Sequence, residues 1–130
     1  MPETLQHVFL YCTNAEIFWS ELGHAFGIVV QPDWVTLKFL QIEVGENRRC
    51  IEVLFLLGLH AIWRSRVDHT LVVEKGKPAW DHFVDNFAYT SSLLEHVEMP
   101  GFEQWPLMQS RLKKYIVKRN KYMNRYCVTR

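Results

Sequence analysis

The chain has 130 residues, 48% hydrophobic and 22% charged, with five Trp and eight Phe. That mixture excludes a disordered or fibrous chain and suffices for one globular domain with its own core. The formal net charge of +1 conceals a division: residues 111–130 hold eight Lys or Arg and no acid, while residues 1–110 hold seven cations against 14 acids.

Helical periodicity dominates from the start. Leu5, Val8, Phe9 and Cys12 recur at three- and four-residue steps, which predicts a short helix over 4–11. Thr13 or Asn14 is suited to cap the next helix, and Glu16 completes a capping box with Thr13. That helix is expected to bury Ile17, Phe18, Leu22, Ala25 and Phe26 and to stop at Gly27. "IVVQPDW" suggests a short extended piece interrupted by Pro32. Asp33 is placed to cap a helix carrying Val35, Leu37, Phe39 and Leu40, and Asn47 to cap another over 48–67.

The 48–67 helix is apolar nearly all round between Val53 and Leu59, which predicts a place in the middle of a bundle. Gly58 inside it predicts a close crossing by another helix backbone, because Gly there costs about 1 kcal/mol against Ala. Arg64 and Arg66 suit its C-terminal end. Residues 72–78 read as a loop ending in Pro78, which suits a first helical turn. Trp80, Phe83, Val84, Phe87, Ser91 and Leu94 form a stripe on a helix from 78 to about 98. A turn at 98–101 precedes a last helix, beginning near Phe102 or Pro106, with Leu107, Leu112, Ile116 and Met123 on one face. The expectation is an all-α, single-domain bundle of five or six helices spanning 1–130, with 111–130 its basic C-terminal helix.

Three cysteines (Cys12, Cys50, Cys127) are too few and odd in number for a disulfide framework. They suit a reducing compartment, cytoplasmic or nuclear. The first residues lack the basic start and uninterrupted apolar run of a signal peptide. The longest apolar stretch, 53–63, is well short of the ~20 residues of a membrane span.

The basic segment interleaves Arg111, Lys113, Lys114, Lys118, Arg119, Lys121 and Arg125 with Tyr115 and Tyr122. Clustered cations neutralise phosphates, and tyrosine rings stack on unpaired bases, so this composition fits RNA or DNA. The competing reading is a bundle helix whose basic face is solvated or attracted to the acidic body. No HExxH, phosphate-cradling Gly-rich loop, Gly-x-Ser-x-Gly or Cys-x-x-Cys is present, so no enzyme is expected. Asp81, His82 and Asp85 could suggest a metal pair but read better as the polar side of an amphipathic helix. His60 is expected to be a satisfied core histidine.

His7 and Cys12 stand in a His-x4-Cys spacing. The segment 2–19, with Glu3, Thr4, Leu5, His7, Cys12 and Trp19, resembles the zinc-binding segment that follows the polymerase domain in non-LTR retrotransposon reverse transcriptases. Residues 56–71, with Ile62, Trp63 and Arg66, resemble that family's downstream Ile-Trp-x-x-Arg helix, and 77–87 resemble the segment after it. The family's leading Cys-x2-Cys pair is absent here, as are polymerase carboxylate and endonuclease motifs. The resemblance therefore implies a truncated C-terminal piece of such an element, with nucleic-acid handling as its ancestry. A structural zinc takes four ligands, so His7 and Cys12 are expected to be vestigial, with no cofactor unless a zinc is shared between two chains.

Two functions follow as expectations. One is a non-catalytic, retroelement-derived domain that binds RNA or DNA through the basic helix. The other is a protein-interaction module, homodimeric or bound to another protein, using Trp34, Trp80, Phe102 and Trp105 as interface aromatics.

Overall fold

The computed structural model describes residues 4–28, 48–70 and 77–126, the side chains of 69, 70 and 123–126 excepted. Every element among these residues is helical, and they pack as one bundle. In chain order they are α1 (His7–Tyr11), α2 (Thr13–Phe26), α3 (Arg48–Thr70), α4 (Ala79–Glu95) and α5 (Trp105–Tyr126). The readings of 29–47, including the Asp33 and Asn47 caps, and of Cys127 lie outside the described residues.

α1 is a π-helical turn, in which the Cys12 N–H donates to the His7 carbonyl at 2.7 Å. Cys12 is then the only extended residue before α2 and is itself the N-cap, its carbonyl accepting from the Glu16 N–H at 3.0 Å. The expected Thr13–Glu16 capping box does not form. Closure of the π turn brings α2 in one residue early, so Thr13 is already helical. The other end of α2 matches its expected stop. Gly27 has φ 65°, and the Ile28 N–H reaches back to the Gly23 carbonyl at 3.1 Å in a Schellman closure.

The core is aromatic. Phe83 of α4 is fully buried with four ring neighbours, Phe18 at 5.6 Å, Phe26 at 6.0 Å, Trp80 at 5.4 Å and Phe87 at 5.9 Å between centroids. Edge-to-face and offset arrangements of this kind add about 0.5–1.5 kcal/mol per pair to the burial itself. Trp80, Phe83, Phe87 and Ser91 on α4 are buried, as their spacing predicts. Ile17, expected inside, is instead 60% exposed, and its place on α2 is taken by Trp19. The Trp19 indole N–H donates to the Phe9 carbonyl at 2.8 Å and ties α1 to α2.

α3 is not covered all round. It packs chiefly on α4, burying Cys50, Leu54, Phe55, Ala61 and Ile62, while Leu56 and Trp63 are each 49% exposed. Its apolar girth therefore exceeds what the bundle covers. Gly58 does mark a close approach, made by rings and not by a helix backbone. A Cβ there would lie 2.9 Å from Phe18 Cε1 and 3.0 Å from the Trp19 ring.

α4 ends at Glu95, three residues before its expected limit, with His96 closing onto the Leu93 carbonyl at 3.2 Å. Pro100 disfavours the helical conformation for Met99, so the chain turns there. α5 begins at Trp105 and packs chiefly on α2. Its inward stripe is Trp105, Met108 and Leu112, with Tyr115 and Ile116 half-buried, whereas Leu107 is exposed. The helix starts one residue before Pro106, the later of its two expected limits, and Leu107 faces the surface.

Candidate nucleic-acid interface

The nine residues singled out on the basic segment fall into distinct groups. Arg111, Tyr115 and Arg119 recur at four-residue steps and face α2. Arg111 Nη1 donates to the Phe26 carbonyl at 2.9 Å, supplying a partner at the α2 C-terminus, where cations complement the helix dipole. Arg119 Nε lies 2.9 Å from Glu21 Oε1, the same oxygen that accepts from the Tyr115 hydroxyl at 3.2 Å. The Tyr115 ring stands edge-on to Trp80 at 5.7 Å. Burial, reinforced by the Glu21 charge, raises the Tyr115 phenol above its ordinary value. These three side chains hold α5 to the body, with the Tyr115 ring half-buried.

Lys113, Lys114, Lys118, Lys121 and Tyr122 are exposed. Lys114, Lys118 and Lys121 follow at four- and three-residue steps, so they share one side of α5. Lys113 stands on the α4 side of the helix. The Arg125 side chain is outside the described residues. Between α5 and the end of α2 lies a cleft of about 330 Å³, lined by His24, Ala25, Gly27, Arg111, Lys114, Tyr115 and Lys118. No acidic side chain is among these lining residues. His24 was not singled out from the sequence, because it belongs to α2 and comes beside Arg111, Lys114 and Lys118 only when the two helices pack.

The interface aromatics are distributed differently from expectation. Trp80 and Trp105 are 5% and 3% exposed and belong to the core. Trp105 stacks on Phe87 at 4.9 Å and donates its indole N–H to Ser91 Oγ at 2.9 Å. Phe102 is half-buried against the same cluster, and Trp34 lies outside the described residues. Among the described residues the large exposed rings are instead Tyr11, Trp63 on α3, Tyr89 on α4 and Tyr122 on α5. Trp63 lies 6.1 Å from the His60 ring, and Asn86 Nδ2 donates to His60 Nδ1 at 3.0 Å between α3 and α4, the helices that also expose Leu56 and Leu93. His60 is thus a surface residue, not a core one.

Asp68, His82, Lys77 and Asp85 form a clasp between α3 and α4. Asp68 Oδ2 lies 2.8 Å from His82 Nε2 and 3.2 Å from the Lys77 N–H. The His82 hydrogen bond, foremost, holds the Asp68 carboxyl below its ordinary value. Lys77 Nζ and Asp85 Oδ2 are paired at 2.6 Å, which raises the lysine. These residues satisfy each other across the α3–α4 junction. Among the described residues, no group of three or more His, Cys, Asp or Glu side chains is arranged to hold a metal. His7 is exposed and Cys12 half-buried at the α1–α2 junction. No described helix is long and apolar enough to cross a membrane.

The described residues define an all-helical bundle with a basic cleft between α2 and α5. No family model, no curated protein and no solved structure matches the chain.

Proposed function

We propose that this chain is a non-catalytic nucleic-acid-associated domain, derived from the C-terminal part of a retroelement, that holds phosphates along the α2–α5 cleft. The observation that carries this reading is the acid-free lining of that cleft, where His24, Arg111, Lys114 and Lys118 converge from two helices. Arg111 offsets the partial negative charge of the α2 C-terminus, which would otherwise repel a phosphate. Lys121 extends the same line of charge, and the exposed Tyr122 ring stands one residue further on. Contacts of this kind go to the sugar–phosphate chain, so affinity is expected to vary little with base sequence.

The test is a fluorescence-anisotropy titration with labelled single-stranded RNA and duplex DNA at two salt concentrations. The expected result is micromolar or tighter binding at low salt that weakens steeply as salt rises. Lys114→Gln/Lys118→Gln is expected to lower the salt slope by about 1–2, the change per lost phosphate contact being just under one. Binding that is indifferent both to salt and to this pair of substitutions overturns the reading.

A second reading, a protein-interaction module, is favoured by one observation: α3 and α4, bridged by the His60–Asn86 hydrogen bond, expose the apolar side chains of Leu56, Trp63, Tyr89 and Leu93. Exposed aromatics of this kind are enriched at binding hot spots. Trp63→Ala would then abolish a self-association or partner contact while leaving nucleic-acid affinity unchanged.

A further inference from the structure

On the side of α5 away from the basic cleft, the seam between α4 and α5 is open. Two cavities of about 540 and 410 Å³ lie along it. They share Ser91, Glu95 and Gln109 on their walls, so they form one trough. Val84, Phe87, Leu112 and Ile116 line one half. Val97, Met99 and Phe102 line the other half, beside the turn that joins the helices.

The rim is acidic. Glu95, Glu98 and Glu103 stand at the turn end, and Asp81 and Asp85 line the adjoining hollow at the far end. The cations nearby are largely engaged, Lys77 with Asp85 at 2.6 Å and Arg119 with Glu21 at 2.9 Å. Lys113 is the remaining cation on the walls described. Asp81 and Glu95 both lie on α4, 14 residues apart, which corresponds to about 21 Å along the helix axis. The trough therefore has the length of about four helical turns and an apolar floor, with its negative charge concentrated at the turn end, since Asp85 at the other end is paired with Lys77.

We propose that this trough is a docking site for an amphipathic helix of a partner protein that carries Lys or Arg beside its apolar stripe. A helix laid in a groove buries its i, i+3, i+4 and i+7 side chains on the floor, and its flanking cations meet the acidic rim. The occupant is a partner and not a second copy. The basic amphipathic helix described in this chain is α5, and its apolar stripe of Trp105, Met108 and Leu112 is already buried at home. The inference stands apart from both readings above, since the trough shares neither the cleft lysines nor the Trp63 surface.

The experiment is a calorimetric titration of the full chain with a synthetic peptide of about four turns that bears Leu on one face and Lys on its flanks. Two control peptides are a scrambled sequence of the same composition and one with Glu in place of Lys. The expected result is saturable one-to-one binding of the amphipathic basic peptide, with both controls at least about tenfold weaker. Glu95→Lys/Glu98→Lys on the rim and Val117→Asp on the wall are each expected to weaken binding by at least about tenfold. Lys114→Gln/Lys118→Gln is expected to leave it unchanged. Equal binding of the scrambled peptide, or undiminished binding by the rim variant, overturns the proposal. So does a dimer in sedimentation that Val117→Asp dissociates, since a second copy would then cover the trough.

Discussion

Arg119 Nε and Glu21 Oε1 lie 2.9 Å apart across the seam between α5 and α2, with the Tyr115 hydroxyl on the same carboxylate oxygen. The Glu21 side chain is 15% exposed and that of Arg119 39%. This pair divides the basic helix into a side that holds the fold and a side that carries uncommitted charge. Arg119→Gln is expected to lower stability by about 1 kcal/mol, the scale of a partly shielded charge-assisted hydrogen bond, with nucleic-acid affinity little changed. Lys114→Gln/Lys118→Gln is expected to do the reverse. Urea denaturation and anisotropy on the same preparations separate the two effects.

Gly58 is expected to resist replacement even by the best helix former. Ala would gain about 1 kcal/mol of helix propensity, but its Cβ would press on Phe18 and Trp19 at 2.9–3.0 Å. Neither ring can retreat freely. Phe18 stands edge-on to Phe83, and Trp19 is hydrogen-bonded to the Phe9 carbonyl. Overpacking of this kind costs about 1–3 kcal/mol, so Gly58→Ala should be net destabilising in a thermal melt. A rise in melting temperature would show that the aromatic layer yields.

Phe83→Ala removes the hub of the ring cluster, where Phe18, Phe26, Trp80 and Phe87 meet. The expected loss is about 3–5 kcal/mol, from transfer and cavity contributions together. For a domain of this size that approaches the whole stability. Near-ultraviolet circular dichroism should flatten while much of the far-ultraviolet helix signal persists. Phe83→Leu, which keeps most of the volume, should retain a cooperative transition.

Asp68 provides a pH test. Its carboxyl is held below the ordinary value, first by the hydrogen bond from His82. A depressed folded-state value means that the contribution is complete above the unfolded carboxylate pKa and is lost as pH falls through the folded one. The wild-type chain should therefore lose stability on acidification below the ordinary carboxylate range. Asp68→Asn should flatten that part of the profile and be less stable at neutral pH. Denaturation midpoints measured from pH 7 down to pH 3 decide between these outcomes.

At the other limit, the Tyr115 phenol is raised by burial and by Glu21. The neutral hydroxyl donates to the carboxylate, and ionisation would turn that bond into a repulsion. Its contribution is present below the unfolded tyrosine value and lost as pH rises through the folded one. Tyr115→Phe should remove this alkaline loss, read by denaturation midpoints above pH 9.

Where periodicity carried strong local information, sequence and structure agree. The stripe Trp80–Phe83–Phe87–Ser91 lies buried on α4, and Gly27 terminates α2 in a left-handed conformation. These outcomes depend on residues within a turn or two of one another, so a chain written in order contains the needed terms. The basic segment is helical as far as Tyr126, as its apolar spacing predicts.

What the neighbouring helix decides could not be read in advance. Trp63 and Trp80 are chemically alike, yet one is half-exposed and the other packs among Phe18, Phe83 and Tyr115. Arg111, Arg119 and Lys118 look equivalent along the chain until α2 presents the Phe26 carbonyl and Glu21 to two of them. His24 enters the cleft by the same route. By itself the sequence determined an all-helical chain with a basic last helix, because helix formation and charge are local properties. Tertiary structure alone decided which aromatics became core, which cations remained uncommitted and where the acidic trough opened. Those depend on contacts between residues tens of positions apart, whose pairing no local pattern encodes.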